Sequence, residues 1–299
     1  MAFALNLALL MTGSTGHTVQ LIFNRSAGGH CPRRLAELHA SFEKRGARVI
    51  STECGPGTDI VIESDATHVC ALGGDGTIRH VALALRKGGR ALPLSVYPSG
   101  TVNLLHREIG SPVEPEEHAD RVLGGQGACA HYPAEINDSL FLACASVGPD
   151  SRAVEALSPR LKRWIGKGAY VAAFLRLLLR WPRETITLRC EGAEHRCEAF
   201  YVAKGRYFAG PWSFAPDAGL REPMLHVVAL RRARRRDFAG FAWTVFRGRR
   251  ADALPGVIAF TCTELTAKAC LPLPVQADGD IITHLPARLS VRGEAMPFC

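Results

Sequence analysis

The sequence predicts an α/β domain followed by a mostly antiparallel β domain. Three observations carry this expectation. Strand-like and helical runs alternate from Thr18 to Glu108. Three polar, glycine-containing loops each close a strand of that first part, as expected at the ligand-binding edge of a parallel sheet. Beyond Gly127 the pattern changes to short strand-like runs broken by one helical region. A chain of 299 residues suits two domains of ordinary size.

In chain order, Thr18–Asn24 reads as a buried strand running into the loop Asn24-Arg25-Ser26-Ala27-Gly28-Gly29. Pro32 marks a helix start, Leu35, Leu38 and Phe42 share one face of Arg33–Arg45, and Gly46 stops the helix. Arg48–Thr52 is the second strand. Thr67–Leu72 is the third, and it enters Gly73-Gly74-Asp75-Gly76-Thr77 before a helix that ends at Gly88-Gly89. Leu92–Tyr97 leads into Pro98-Ser99-Gly100-Thr101-Val102-Asn103 and a short helix to Glu108. Ser111–Gly127, rich in Pro, Glu and Gly, reads as a boundary. The second part offers Ser139–Val147, Thr185–Cys190, Arg196–Ala203, Met224–Leu230, Val257–Phe260, Glu264–Lys268 and Arg288–Val291 as strands, with a helical region over Arg152–Trp181. The domains are therefore drawn as a leader over 1–17, an α/β domain over 18–128 and a β domain over 129–299.

Glycine lets backbone turn sharply and approach a bulky anion, and a helix start offers free N–H groups and the positive end of a dipole. A strand, a Gly-rich loop and a helix thus form a place to hold phosphate. A lone loop of this kind is as readily a tight turn without ligand. Three at one sheet edge favour a site. Backbone amides of the first two loops, with Thr77, Thr101 and Asn103, are the expected phosphate contacts.

Apolar residues make up 47% and charged residues 21%, a globular composition. The net charge of +8, with arginine far ahead of lysine, suits a nucleotide, a membrane surface or a nucleic acid. The ten cysteines stand singly, without Cys-x-x-Cys or zinc spacing, which reads as reduced thiols in a cytoplasmic protein. Met1–Met11 is apolar but lacks a charged start, so a disordered leader is preferred to a signal peptide. Ala169–Trp181, interrupted by Arg176 and Arg180, is too short to span a bilayer. Arg231–Arg236 and the Phe238–Phe246 run form a basic amphipathic segment. It is either a core-packing helix with solvated flanks or a membrane-surface element.

Together the loops resemble the diacylglycerol kinase catalytic-domain family, which includes bacterial lipid kinases and sphingosine kinases. Asn24–Gly29, Gly73–Thr77 and Pro98–Asn103 match its three loops. Ser146–Asp150, Lys162–Val171, Gly205–Pro211 with Ala215–Ala218, and Gln276–Asp280 match downstream stretches, so the resemblance spans nearly all of the chain from Thr18. It implies a nucleotide-binding α/β domain followed by a β-sandwich, with ATP and Mg2+ as cofactors and a lipid hydroxyl as acceptor. Carried over, ATP contacts fall on Asn24, Ser26, Gly28, Gly29, Gly73, Gly74, Asp75, Gly76, Thr77, Ser99, Gly100, Thr101 and Asn103. Asp278 becomes the general base and Asp75 the second candidate, since the sphingosine kinases give that part to the Gly-Gly-Asp-Gly aspartate. Asp75 and Asp280 become candidate metal ligands. Asp278, in an Asp-Gly dipeptide, is expected in an exposed turn.

The chain departs from the family pattern at Leu104, where Asp usually follows the Asn, and at His80, where Glu is usual. Asp280 replaces a common Glu. Some members hold a structural metal with Asp-Gly-x-Leu-Asp, whereas this chain has Glu222-Pro223-Met224-Leu225-His226, which speaks against that metal. The partners implied are a lipid substrate and an anionic membrane surface, met peripherally from the cytoplasmic side. Nucleic acid is set aside and a homodimer is left open. Two other readings compete: a non-catalytic lipid- or nucleotide-binding member of the fold, and an NAD kinase, which shares Gly-Gly-Asp-Gly-Thr.

Overall fold

Burial decides where the first strands go. Thr18–Phe23 (β1) is buried along its whole length, and His68–Gly73 (β3) nearly so, which demands a sheet covered on both faces. The computed structural model describes residues 16–55, 58–125, 128–156, 181–291 and 293–299. In it β1 lies between Arg48–Glu53 (β2) and β3, and β3 pairs with Leu94–Pro98 (β4), all parallel. Two more strands complete this sheet: Met296–Phe298 (β18), parallel to β4, and Cys129–His131 (β5), antiparallel to β18. The first sheet thus takes its last two strands from beyond residue 128.

Pro32–Lys44 (α1) has its proline in the first turn and buries Leu38 and Phe42. Asp75–Lys87 (α2) buries Ile78, Val81, Ala82 and Leu85 under the sheet and ends at Gly88. Leu104–Ile109 (α3) is a short helix that follows the third loop. The expected boundary over 111–127 contains Pro115–Leu123 (α4), which packs beside α1, with Lys44 and Glu116 paired at 2.9 Å. Its Pro115 and two first-turn glutamates are helix-start signals rather than linker composition.

The second lobe is a β-sandwich. One antiparallel sheet contains Ala134–Ile136 (β6), Ser139–Phe141 (β7), Ile186–Cys190 (β9), Ala193–Cys197 (β10), Glu264–Ala269 (β14) and Ala287–Ser290 (β17). The other contains Cys144–Val147 (β8), Ala199–Ala203 (β11), Leu225–Leu230 (β12), Val257–Cys262 (β13), Pro274–Ala277 (β15) and Asp280–His284 (β16). Ile186, Leu188 and Leu289 of the first meet Phe200, Val202 and Val275 of the second in one core. The run 139–147, expected as one strand, is two strands in different sheets, broken at Leu142 and Ala143. Pro149–Glu155 (α5) opens the expected helical region, whose remainder over 157–180 lies outside the described residues, as does 1–15 of the expected leader. Arg235–Phe246 (α6) lies on the outer face of the second sheet's cluster through Phe241 and Val245. No described helix is long and apolar enough to cross a membrane.

Candidate active site

The three loops meet at the carboxyl ends of β1, β3 and β4. Gly29 N donates to Ser99 O at 3.0 Å, and Ser99 N donates to Gly73 O at 3.0 Å. Asn24 Nδ2 reaches Thr77 Oγ1 at 3.4 Å. A Cβ on Gly100 would stand 2.5 Å from Gly74 Cα, and one on Gly29 would stand 2.9 Å from Ser99 O. Loop-to-loop contact alone therefore demands glycine at these places. Several loop amides expected to face a ligand are spent internally: Ser26 N donates to Asn24 Oδ1 and Ala27 N to Asn24 O. The hydroxyls and the first turn of α2 lie at this same edge. Ser99 Oγ is buried without a hydrogen-bond partner, and Thr101 Oγ1 stands beside Gly28.

Asp75 is 9% exposed, and its carboxylate organises the third loop. Oδ2 accepts Leu104 N at 3.0 Å and Oδ1 accepts Leu105 N at 3.0 Å. The carboxylate thus satisfies the first amides of α3 from a distant loop, where Asn103, with φ of 54°, turns the chain into the helix. Burial pushes the Asp75 pKa up, and these two amides oppose the shift.

Asp278 corrects the expectation of an exposed turn. Asp278-Gly279 is the two-residue turn joining β15 to β16, with φ of 49° and 89°, the left-handed geometry that Asp-Gly favours in hairpins. The turn points inward, and Asp278 is 6% exposed. Oδ2 accepts Leu142 N at 2.7 Å, while Oδ1 accepts Ala143 N at 2.9 Å and Cys144 N at 3.1 Å. These amides sit at the break between β7 and β8, so the break and the carboxylate explain each other. Burial raises the Asp278 pKa to about 6, against the pull of Arg79 and the amides, with Asp75 adding a further push. The two acids, distant in sequence, feel each other's charge.

Arg79 is a functional candidate that sequence reasoning missed. Its side chain is 4% exposed, Nη2 holds Asp280 Oδ2 at 3.1 Å, and Nε has no hydrogen-bond partner. The available signal was an arginine between buried Ile78 and buried Val81 on α2. Asp280 in turn lies over the start of α2, its Oδ2 2.7 Å from where a Cβ on Gly76 would be. Asp75 and Asp280, expected as metal ligands, are engaged with the protein itself, although each Asp75 oxygen keeps a lone pair. Both Asp75 oxygens hold amides of α3, Asp280 is paired with Arg79, and among the described residues no three His, Cys, Asp or Glu side chains converge as a metal group.

The basic amphipathic segment also divides differently from expectation. Phe241 and Val245 are core residues, and Phe238 packs on Trp181. The exposed aromatics are Trp243, at 63%, and Phe246, at 55%, stacked on each other with Arg247 over the Trp243 ring.

The chain is thus an α/β lobe whose three glycine-containing loops meet at one sheet edge, followed by a β-sandwich lobe that carries the buried Asp278. The model of the diacylglycerol kinase catalytic domain matches residues 18–130, and that of the YegS C-terminal NAD kinase beta sandwich-like domain matches 143–298. The chain belongs to the family built from these two domains. It is 22% identical over 277 residues to a diacylglycerol kinase of Staphylococcus carnosus, covering 90% of each chain. It is 26% identical over 247 residues to one of Bacillus subtilis, covering 77% of this chain and 78% of the relative. Its fold matches the crystal structure of a diacylglycerol kinase from Bacillus anthracis str. Sterne with a TM-score of 0.70 at 18% identity, over 93% of this chain and 95% of that one.

Proposed function

We propose that this protein is an ATP-dependent lipid kinase that transfers the γ-phosphate of ATP to a lipid hydroxyl, diacylglycerol-like or sphingoid-like. The observation that carries the reading is the meeting of the three loops with the 278–280 turn of the other lobe, where Asp280 pairs with Arg79 of α2 and Asp278 feels the charge of Asp75. The triphosphate lies along the three loops, within reach of the Thr101 hydroxyl beside Gly28. Asp278 is the general base. Its Oδ1 already accepts two amides and its Oδ2 only one, so Oδ2 keeps a lone pair for a proton. The acceptor hydroxyl attacks the γ-phosphorus, its proton passes to Asp278 Oδ2, and the bond to the β–γ bridging oxygen breaks as ADP leaves. A pKa near 6 leaves the carboxylate ionised at neutral pH yet basic enough to help.

The acceptor resides in a bilayer, so the enzyme must come to it. Trp243 and Phe246, with Arg247 beside them and exposed Arg236 on the same helix, suit the interface of an anionic membrane. The test is turnover of labelled ATP with a panel of lipids in mixed vesicles. Phosphorylation of one hydroxylated lipid class is expected. ATP binding without phosphate transfer to any lipid refutes the kinase reading in favour of a binding protein.

A further inference from the structure

Lys204 follows β11 and is fully buried. Its Nζ donates to three backbone carbonyls: Gly219 O at 2.9 Å, Leu220 O at 3.1 Å and Glu222 O at 2.6 Å. An ammonium has three donors, and all are used. The three acceptors belong to one short loop, 219–222, just before β12. Carbonyl oxygens turned toward a single point are how proteins hold a hard cation, and without a positive charge between them they repel, although Gly219 O also accepts Glu222 N at 3.3 Å and Leu220 O accepts Tyr132 N at 3.0 Å. Burial lowers the Lys204 pKa to about 8, with Glu108 and Glu222 opposing, so the group stays charged at neutral pH. The same loop runs into Glu222-Pro223-Met224-Leu225-His226, which lacks both aspartates of the Asp-Gly-x-Leu-Asp pattern, so a structural metal does not fit there.

We propose that Lys204 is a resident cation, its ammonium doing for the 219–222 loop what a bound metal ion would do, so that the second lobe holds this loop without metal. The consequence reaches the candidate site through the backbone. Lys204 N and Gly205 N both donate to Ala143 O at 2.8 Å, and Ala143 N donates to Asp278. Arg206 N, next along, donates to Glu108 Oε2 on α3, the helix that Asp75 caps. The filled cage therefore braces the strand end that cradles Asp278 and the helix that orients the third loop.

Three measurements test this, none of which depends on turnover. The unmodified protein, passed through EDTA, is assayed for bound metal, and its Tm is compared with and without EDTA and millimolar Ca2+. No stoichiometric metal and no change in Tm are expected. Lys204→Met keeps the stem and removes the charge. Its Tm is expected to fall by about 5–10 °C, with faster hydrogen exchange over 219–224. Lys204→Ala empties the cage, and methylammonium, K+ or Ca2+ is expected to restore part of the lost Tm. A metal carried by the unmodified protein, a Tm lowered by EDTA, an unchanged Tm in Lys204→Met, or no response of Lys204→Ala to any of the three cations would each overturn the proposal. The first measurement needs no variant and decides even where the variants fail to fold.

Discussion

Asp278→Asn separates catalysis from folding in a way the structure makes quantitative. Asparagine tolerates the left-handed turn conformation, so the hairpin survives. Its carbonyl can keep the two amides of Ala143 and Cys144, but its NH2 then faces the Leu142 N–H, donor against donor. An unsatisfied buried N–H costs about 1–3 kcal/mol. Against this stands the charge. The folded pKa of about 6 lies above the ordinary 3.8, so the folded state binds the proton more tightly than the unfolded chain. Stability from this group is present below pH 3.8 and is lost as pH rises through about 6, amounting to about 3 kcal/mol. Asp278→Asn is thus expected to destabilise by about 1–3 kcal/mol at pH 5 or below, and by much less, or not at all, at pH 7.5, where it also relieves a buried charge. Turnover should fall by about 10²–10⁴ while ATP affinity, measured by calorimetry, stays within about threefold. Urea unfolding at the two pH values and a turnover assay beside Asp75→Asn are the measurements. The same stability change at both pH values refutes the raised pKa. If only Asp75→Asn abolishes turnover while both variants bind ATP, the base is Asp75.

Gly100→Ala drives a methyl against Gly74 Cα at 2.5 Å, so it should cost about 1–3 kcal/mol and weaken ATP binding by tenfold or more, readable by calorimetry and thermal melting. Wild-type binding by calorimetry in that variant would remove the phosphate-loop assignment. Trp243→Ser with Phe246→Ser should reduce sedimentation with anionic vesicles while leaving turnover of a short-chain soluble acceptor intact, and raising salt should weaken binding of the unmodified protein. Equal binding to neutral vesicles at all salt concentrations contradicts the membrane face. His118 and His131 are buried, and burial lowers each pKa from 6.5 to about 4. The unfolded chain takes up these protons first, so stability is fully present above pH 6.5 and falls by about 3 kcal/mol per histidine as pH drops to 4. His118→Phe should flatten that acid limb of the unfolding free energy.

Much of the nucleotide lobe was legible because its strands are continuous apolar runs that end in turn residues. Thr18–Asn24 and the Gly73–Thr77 loop are where the pattern placed them. The β-sandwich and the family followed from ordered motifs rather than from periodicity. What escaped was long-range. Ser139–Val147 is apolar without interruption from Leu140 to Ala145, and only the carboxylate arriving from Asp278 marks where it breaks. Asp278-Gly279 was correctly a turn, but no local signal says that a turn points into the molecule. Phe241 and Trp243 are both aromatic residues of one helix, and only the neighbouring sheet decides which is core and which is surface. Three-residue strands such as β5 and β18 carry too little pattern to be seen at all.

The position of β18 bears on how the protein is made. The edge of β4, with buried Leu94, Val96 and Tyr97, is covered by Phe298, and Cys299 N donates to Leu94 O at 3.0 Å. The strand that covers it is encoded more than half the chain after β5. At ordinary rates of synthesis, about 5–20 residues per second, the nascent nucleotide lobe waits on the order of 10–30 s with an open apolar edge. Such an edge is a template for pairing with another chain. The lobe recognised as one stretch of sequence is therefore not one unit of folding. Its sheet closes only when the sandwich has been threaded past it, and the two lobes reach their final form together.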